Sequence, residues 1–251
     1  MLRIYYIRGH CPPYTVLTIY KAIDKNNIQY EILVMLFTAK NCHNFDHPEL
    51  YFTCDENLIP YNDVEWMLNF LESEVENGIK FKTNETIQIG WMVNQFKLMD
   101  DLHLHVLEPD FKNSPILFVD SMTNTLKHLR QQKDVVESIN NDIEVSYTSI
   151  ISSIVIGETY KNAKNAFLSR EESDNNFSGW FFRNLEAEDE EKYTLISLYE
   201  FACHRPELVK FLGIPCQYGV HMRSGDNFRI ISGEREIPLR SGSFLDRLNN
   251  T

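Results

Sequence analysis

The sequence predicts an α+β protein made of two small mixed domains, each with an antiparallel sheet and packed helices. Three observations predict it. Segments of period-two alternation and amphipathic segments of helical period interleave along the whole chain, without the regular strand–helix–strand rhythm of a parallel sheet. Hydrophobic residues make up 43% of the 251 residues, enough for packed cores and against global disorder. The polar break Asn140-Asn141-Asp142 divides the chain into two lengths of ordinary domain size. The expected domains are residues 1–142 and 143–251, the second ending in a short tail.

In chain order, Leu2–Ile7 reads as a strand stopped by Pro12-Pro13. Thr15–Asn26 reads as a helix, with Val16, Ile19, Tyr20 and Ile23 on one face. Ile28–Phe37 alternates as a strand, and Thr38–Pro60 lacks periodicity. A helix is expected from Asn62. Asn62 and Glu65 have capping-box spacing, Val64, Met67, Leu68, Leu71 and Val75 form its apolar face, and Gly78 stops it. IKFK, TIQIGWMVNQF and LHLHVLE are strand candidates, the last two a hairpin turning at Asp100-Asp101; PILFV is a further short strand. Thr123–Ile139 is helical, with Leu126, Leu129, Val136 and Ile139 inward. In the second half SIISSIVIG, NAFLSRE and GWFFRN read as strands, and EAEDEEKY as a charged loop. Thr194–Ala202 reads as a helix, and Pro206 suits the first position of another that ends at Gly213. CQYGVHMR and NFRII form a closing hairpin around Ser224-Gly225, and Phe244, Leu245 and Leu248 predict a docked terminal turn of helix.

The formal net charge is -12. Phosphate backbones are held by Lys and Arg, so direct nucleic-acid binding is not expected; a basic protein partner is. No apolar run approaches the ~20 residues that span a bilayer. The first residues lack the basic and apolar regions of a secretory signal, so the chain is expected in the cytoplasm and off the membrane. The five cysteines form no CxxC pair and no zinc spacing, which suits reduced thiols.

Four features bear on chemistry. Cys11, in GHCPPY between a strand and an expected helix, has the placement of a reactive thiolate. The stretch resembles the glutaredoxin turn, but Tyr14 stands where the second cysteine belongs, and no Thr-Val-Pro segment follows. His43 with His47, and His103 with His105, have ligand-like spacing without a third ligand, so no metal or other cofactor is expected. Glu171, Glu172 and Asp174 precede the aromatic Trp180, Phe181 and Phe182, and Glu186–Glu191 forms an acidic run. Carboxylates on such loops lack the fixed geometry of acid–base catalysis. No GxSxG, P-loop, GxGxxG or HExxH pattern occurs, so no catalytic residues are assigned.

From Ile151 to Ile231 the chain resembles immunity protein family 33 of bacterial polymorphic toxin systems. The resemblance is carried by the Arg-Glu-Glu loop followed by Ser178-Gly179-Trp180 and the aromatic pair. The later helix with its Pro206-to-Gly213 segment, then Gly219 and Arg223, adds to it. Ser178 stands where that pattern often has Asp, and the acidic stretch continues into Lys192-Tyr193. The resemblance implies a non-catalytic antidote that binds a cognate toxin domain and blocks it; the net charge of -12 and the run Glu186–Glu191 point to acidic loops that cover a basic active-site cleft, a nuclease being one candidate. Glu171, Glu172, Asp174, Trp180, Phe181, Glu188, Asp189 and Glu190 are the expected toxin-binding residues. A generic interaction module and a thiol-redox enzyme using Cys11 are the alternative readings.

Overall fold

The computed structural model describes residues 4–7, 15–23, 29–100, 102–173, 177–188, 190–223 and 227–250, with side chains from Met35 onward. The chain is α+β, as its sequence predicts, and divides into two compact units. The first contains Met1–Ile87, Asn94–Asp110 and Leu117–Lys127; the second contains Gln88–Val93, Phe111–Ile116 and His128–Thr251.

The strands of the first sheet are β1 (Ile4–Ile7), β2 (Thr15–Ile23), β3 (Gln29–Ala39), β4 (Leu50–Asp55), β5 (Thr86–Ile89), β6 (Met92–Leu98), β7 (Leu104–Pro109) and β8 (Phe118–Val119). They lie in the order β1-β2-β3-β4-β7-β6-β5, with β8 beside β7. The helix expected over Thr15–Asn26 is instead β2, paired antiparallel with β3 from Thr15↔Phe37 to Ile23↔Gln29. Its spacing fits a helix, but its β-branched Thr15, Val16, Thr18, Ile19 and Ile23 suit a pleated surface, and the long partner strand decides. Within the aperiodic Thr38–Pro60 stretch lies β4. It sits between β3 and β7, is buried on both faces, and therefore shows no alternation. The IKFK segment is not a strand, and TIQIGWMVNQF is β5 and β6 broken at Gly90, whose φ is +59°.

Helix α1 (Tyr61–Glu76) buries Val64, Met67, Leu68, Leu71 and Val75, the predicted face. Pro60 occupies its N-cap, so the helix starts before Asn62 and the expected capping box does not form. It ends as predicted, with Gly78 at φ +94°. Helix α2 (Thr123–Ile139) covers the residues predicted for it. The fully buried Glu108 on β7 meets its first turn, accepting from the amides of Asn124 (3.0 Å) and Thr125 (2.7 Å) and from the Thr125 hydroxyl (3.0 Å). A carboxylate there satisfies orphan helix donors. Burial nevertheless raises its pKa above the ordinary carboxylate value, the donors opposing.

That sign has a consequence for stability. The unfolded chain releases the Glu108 proton near the ordinary pKa, whereas the folded chain holds it to higher pH. The contribution of this group therefore falls as pH rises from the unfolded value through the folded one, and is level above it. Glu108→Gln removes that dependence and sets an amide donor against backbone donors, at about 1–3 kcal/mol. Urea unfolding from pH 4 to 8 should show a deficit for the variant that shrinks as pH rises. A deficit constant with pH would contradict the assignment.

The second sheet contains β9 (Ser153–Gly157), β10 (Ala166–Arg170), β11 (Phe177–Asn184), β12 (Tyr193–Ser197), β13 (Tyr218–Met222), β14 (Phe228–Ser232) and β15 (Arg235–Ile237), with helices α3 (Leu198–His204) and α4 (Phe244–Asn249). The order is β12-β9-β11-β10-β13-β14-β15; β9 and β11 are parallel, and the other pairings are antiparallel. The helix expected over Thr194–Ala202 begins only at Leu198. Ser197 is its cap, accepting from the Glu200 amide at 3.0 Å, and the residues before it pair with β9 as β12. Pro206 opens a short 3-10 turn, as expected of its position. One face of the sheet buries Ile154, Ile156, Leu168, Trp180, Phe182, Val220 and Ile230, against a core that includes Phe201, Phe211, Leu245 and Trp91.

Candidate partner-binding site

The Arg-Glu-Glu loop is held by a close approach of two backbones. The Glu171 amide donates to the Gly179 carbonyl at 2.9 Å, and a Cβ at Gly179 would lie 2.1 Å from the Glu171 carbonyl oxygen. Only glycine fits there. The Ser178 hydroxyl donates to the Ser153 carbonyl at 2.6 Å and ties β11 to β9. Glu171 and Glu172 end up exposed; Asp174 lies outside the described residues.

Successive residues of β11 point to opposite faces, and this separates the aromatic candidates. Trp180 is 0% exposed, with the Arg170 guanidinium 5.6 Å from its ring centroid. Arg170 Nη1 donates to the carbonyls of Ser146 (2.6 Å) and Ile214 (2.9 Å), and burial lowers its pKa. The expectation of Trp180 as a toxin contact is therefore corrected: its indole fills the core. Phe181 points the other way and is half-buried, edge-on to Phe177 at 5.4 Å.

The acidic run is braced at both ends. Asn184 Oδ1 accepts from the Glu186 amide at 3.0 Å, and Asn165 Nδ2 donates to Glu186 Oε1 at 2.9 Å. Glu191 Oε1 accepts from the Thr159 amide at 2.9 Å and from the Thr159 hydroxyl. The Glu191 carboxylate lies against Gly157, where a Cβ would come within 2.3 Å of it. Glu186 and Glu191 thus serve the loop's own structure, while Glu188 and Glu190 between them are exposed. Asp189 lies outside the described residues. The two acidic segments do not converge: they leave opposite ends of β11, whose length from Phe177 to Asn184 is about 23 Å at strand rise.

By sequence Tyr193 ends the charged loop and Leu195 lies on the expected helix, so neither is an expected contact. On β12 they are 51% and 60% exposed. Leu195 lies opposite Val155, and Val155 opposite Phe181, so an apolar strip crosses the outer face from the sheet edge to Phe181. The Ser197-x-x-Glu200 cap spacing was the signal that starts the helix late enough to leave this strand.

The other candidates hold their positions through protein contacts. Cys11 lies outside the described residues. Burial pushes the thiols of Cys42 and Cys54 up to about 11 and about 12, the wrong direction for a nucleophile at neutral pH. His43 Nδ1 contacts Glu49 Oε1 at 2.6 Å, and His47 Nε2 accepts from the Phe81 amide at 2.9 Å. His103 and His105 both stack on Tyr51. Among the described residues there is no group of three or more metal-ligating side chains, and no helix long and apolar enough to cross a membrane.

Residues 131–231 match the family model of the Imm33-like domain. The span contains the stretch whose resemblance to immunity protein family 33 is legible in the sequence, and it holds both acidic segments and the outer-face strip. Searches of curated proteins and of solved structures find no match.

Proposed function

We propose that this chain is an immunity protein that binds a cognate bacterial toxin domain in the cytoplasm and occludes its active site without catalysis. The observation that carries this reading is the Imm33-like match over residues 131–231, laid over a sheet that presents exposed carboxylates on braced loops. A net charge of -12 favours a basic partner, and a nuclease, whose cleft must attract phosphates, is the toxin class that fits. Glu188, Asp189 and Glu190 supply one rim of charge, Glu171, Glu172 and Asp174 another, and Phe181 an apolar anchor between them.

Co-expression with the C-terminal domain encoded by the adjacent upstream gene should yield a stoichiometric complex and restore growth of cells making that domain. Absence of both would remove the reading and leave an interaction module without a toxin. Replacing Glu188, Asp189 and Glu190 together with lysine should slow association about tenfold or more at low salt, and much less at high salt. Unchanged association kinetics would show that this rim does not steer the encounter.

A further inference from the structure

We infer that the open edge of β12 is the docking site for an extended, basic segment of the partner, which adds to the second sheet as a further strand. The inference rests on the immunity reading for the identity of the partner.

Strand β12 ends the second sheet and pairs only with β9 among the described residues. The direction of its free groups follows from the bonds at its two ends. The Glu158 amide donates to the Lys192 carbonyl at 3.1 Å, and the Leu198 amide to the Ser152 carbonyl at 2.8 Å. Lys192 and Leu198 thus bond inward to β9. By alternation along an antiparallel pair, so do Thr194 and Ile196. The amides and carbonyls of Tyr193, Leu195 and Ser197 then point away from the sheet.

Sheets usually blunt such an edge with charge, brevity or a bulge. The opposite edge of this sheet does so: β15 is three residues long and begins with Arg235 and Glu236. Strand β12 carries no charge within Tyr193–Ser197, and its exposed Tyr193, Thr194 and Leu195 leave the edge open. A strand laid along it would meet outward hydrogen-bonding groups and, through Leu195, the apolar strip that continues to Val155 and Phe181. This is the arrangement of strand addition, in which main-chain bonds give affinity and alternate side chains give selectivity.

Charge selects the occupant. At the start of β12 the Glu158 amide bonds the Lys192 carbonyl and the Glu191 amide bonds the Glu188 carbonyl, which brings Glu158, Glu188, Glu190 and Glu191 to this end beside Lys192. An added strand would therefore carry lysine or arginine near that end. Self-pairing is disfavoured, because an antiparallel copy would bring this rim toward Glu200 in the first turn of α3, between two chains that each carry -12.

Leu195→Pro tests the edge selectively. It removes an outward amide and no ladder bond to β9, and its fixed φ and its demand for an extended Thr194 are compatible with an edge strand. Leu195→Lys serves as a second variant should proline disturb the fold, with circular dichroism and thermal unfolding as the check. The full chain is titrated with the adjacent-gene toxin domain, and amide hydrogen exchange is read for Tyr193 and Leu195. We expect both amides to exchange at least tenfold more slowly in the complex, and both variants to bind at least tenfold more weakly. A complex with no protection and wild-type affinity in both variants overturns the edge proposal while the immunity reading stands. Absence of any complex overturns both. A dimer of the free chain that either variant dissolves would make the edge a self-association surface and also overturn the proposal.

Discussion

Alanine at Gly179 is expected to lower the thermal midpoint by roughly 6–12 °C, from a destabilisation of about 3 kcal/mol. Two independent costs meet at this residue. Its φ of +78° is left-handed, a conformation that costs an L-residue about 1–2 kcal/mol. The new Cβ would also stand 2.1 Å from the Glu171 carbonyl oxygen, a backbone atom that cannot swing aside. Relief requires opening the Glu171–Gly179 hydrogen bond, a further cost of about 1 kcal/mol. Gly233 provides the control, because its φ of +59° is also left-handed but nothing lies within 4 Å of its Cβ position. Gly233→Ala should carry the conformational cost alone. Equal midpoints for the two variants would show that the close approach contributes nothing. Because the same contact sets the course of the loop carrying Glu171 and Glu172, Gly179→Ala should also weaken association with the proposed toxin partner.

Trp180→Ala is expected to cost about 3–5 kcal/mol, the usual range for emptying an aromatic site in a core. The indole is 0% exposed, and the buried Arg170 guanidinium packs over it. Its removal opens a cavity beside a cation whose two carbonyl acceptors fix it in place. Trp180→Phe should cost much less. Trp180 Nε1 is buried with no hydrogen-bond partner among the described residues, so phenylalanine removes an unmet donor along with the volume. The pair also separates core from contact. If Trp180 only supports the sheet, the phenylalanine variant should fold and bind the proposed toxin partner within about twofold of wild type. Chemical unfolding and titration calorimetry on the two variants read both effects. A Trp180→Phe protein that is fully stable yet fails to bind would restore the indole as a contact.

Which residues were legible beforehand follows from how far each element's partners lie along the chain. Helices α1 and α2 carry their evidence locally, since one face meets the core and the other meets solvent; their apolar positions were read directly. The loop from Glu171 and the run from Glu186 are polar stretches between apolar ones, and both lie between strands of the sheet. Strands β2 and β12 read as helices in the sequence because a short apolar spacing fits either period, and the deciding partners, β3 and β9, are separate segments. Strand β4 was missed for the opposite reason: a strand buried on both faces has no period to read.

The amino-acid sequence by itself determined the α+β class, the acidity, the helix faces, and the family resemblance of the second half. Each is a property of composition or of neighbouring residues. Tertiary structure alone decided that Trp180 is buried completely, that the two acidic segments stand at opposite ends of β11, and that Tyr193 and Leu195 line an open edge. It also decided that Trp91 shares a core with Trp180. These depend on register and strand order, which are set by hydrogen bonds between distant segments and by the single face on which each strand can bury its side chains.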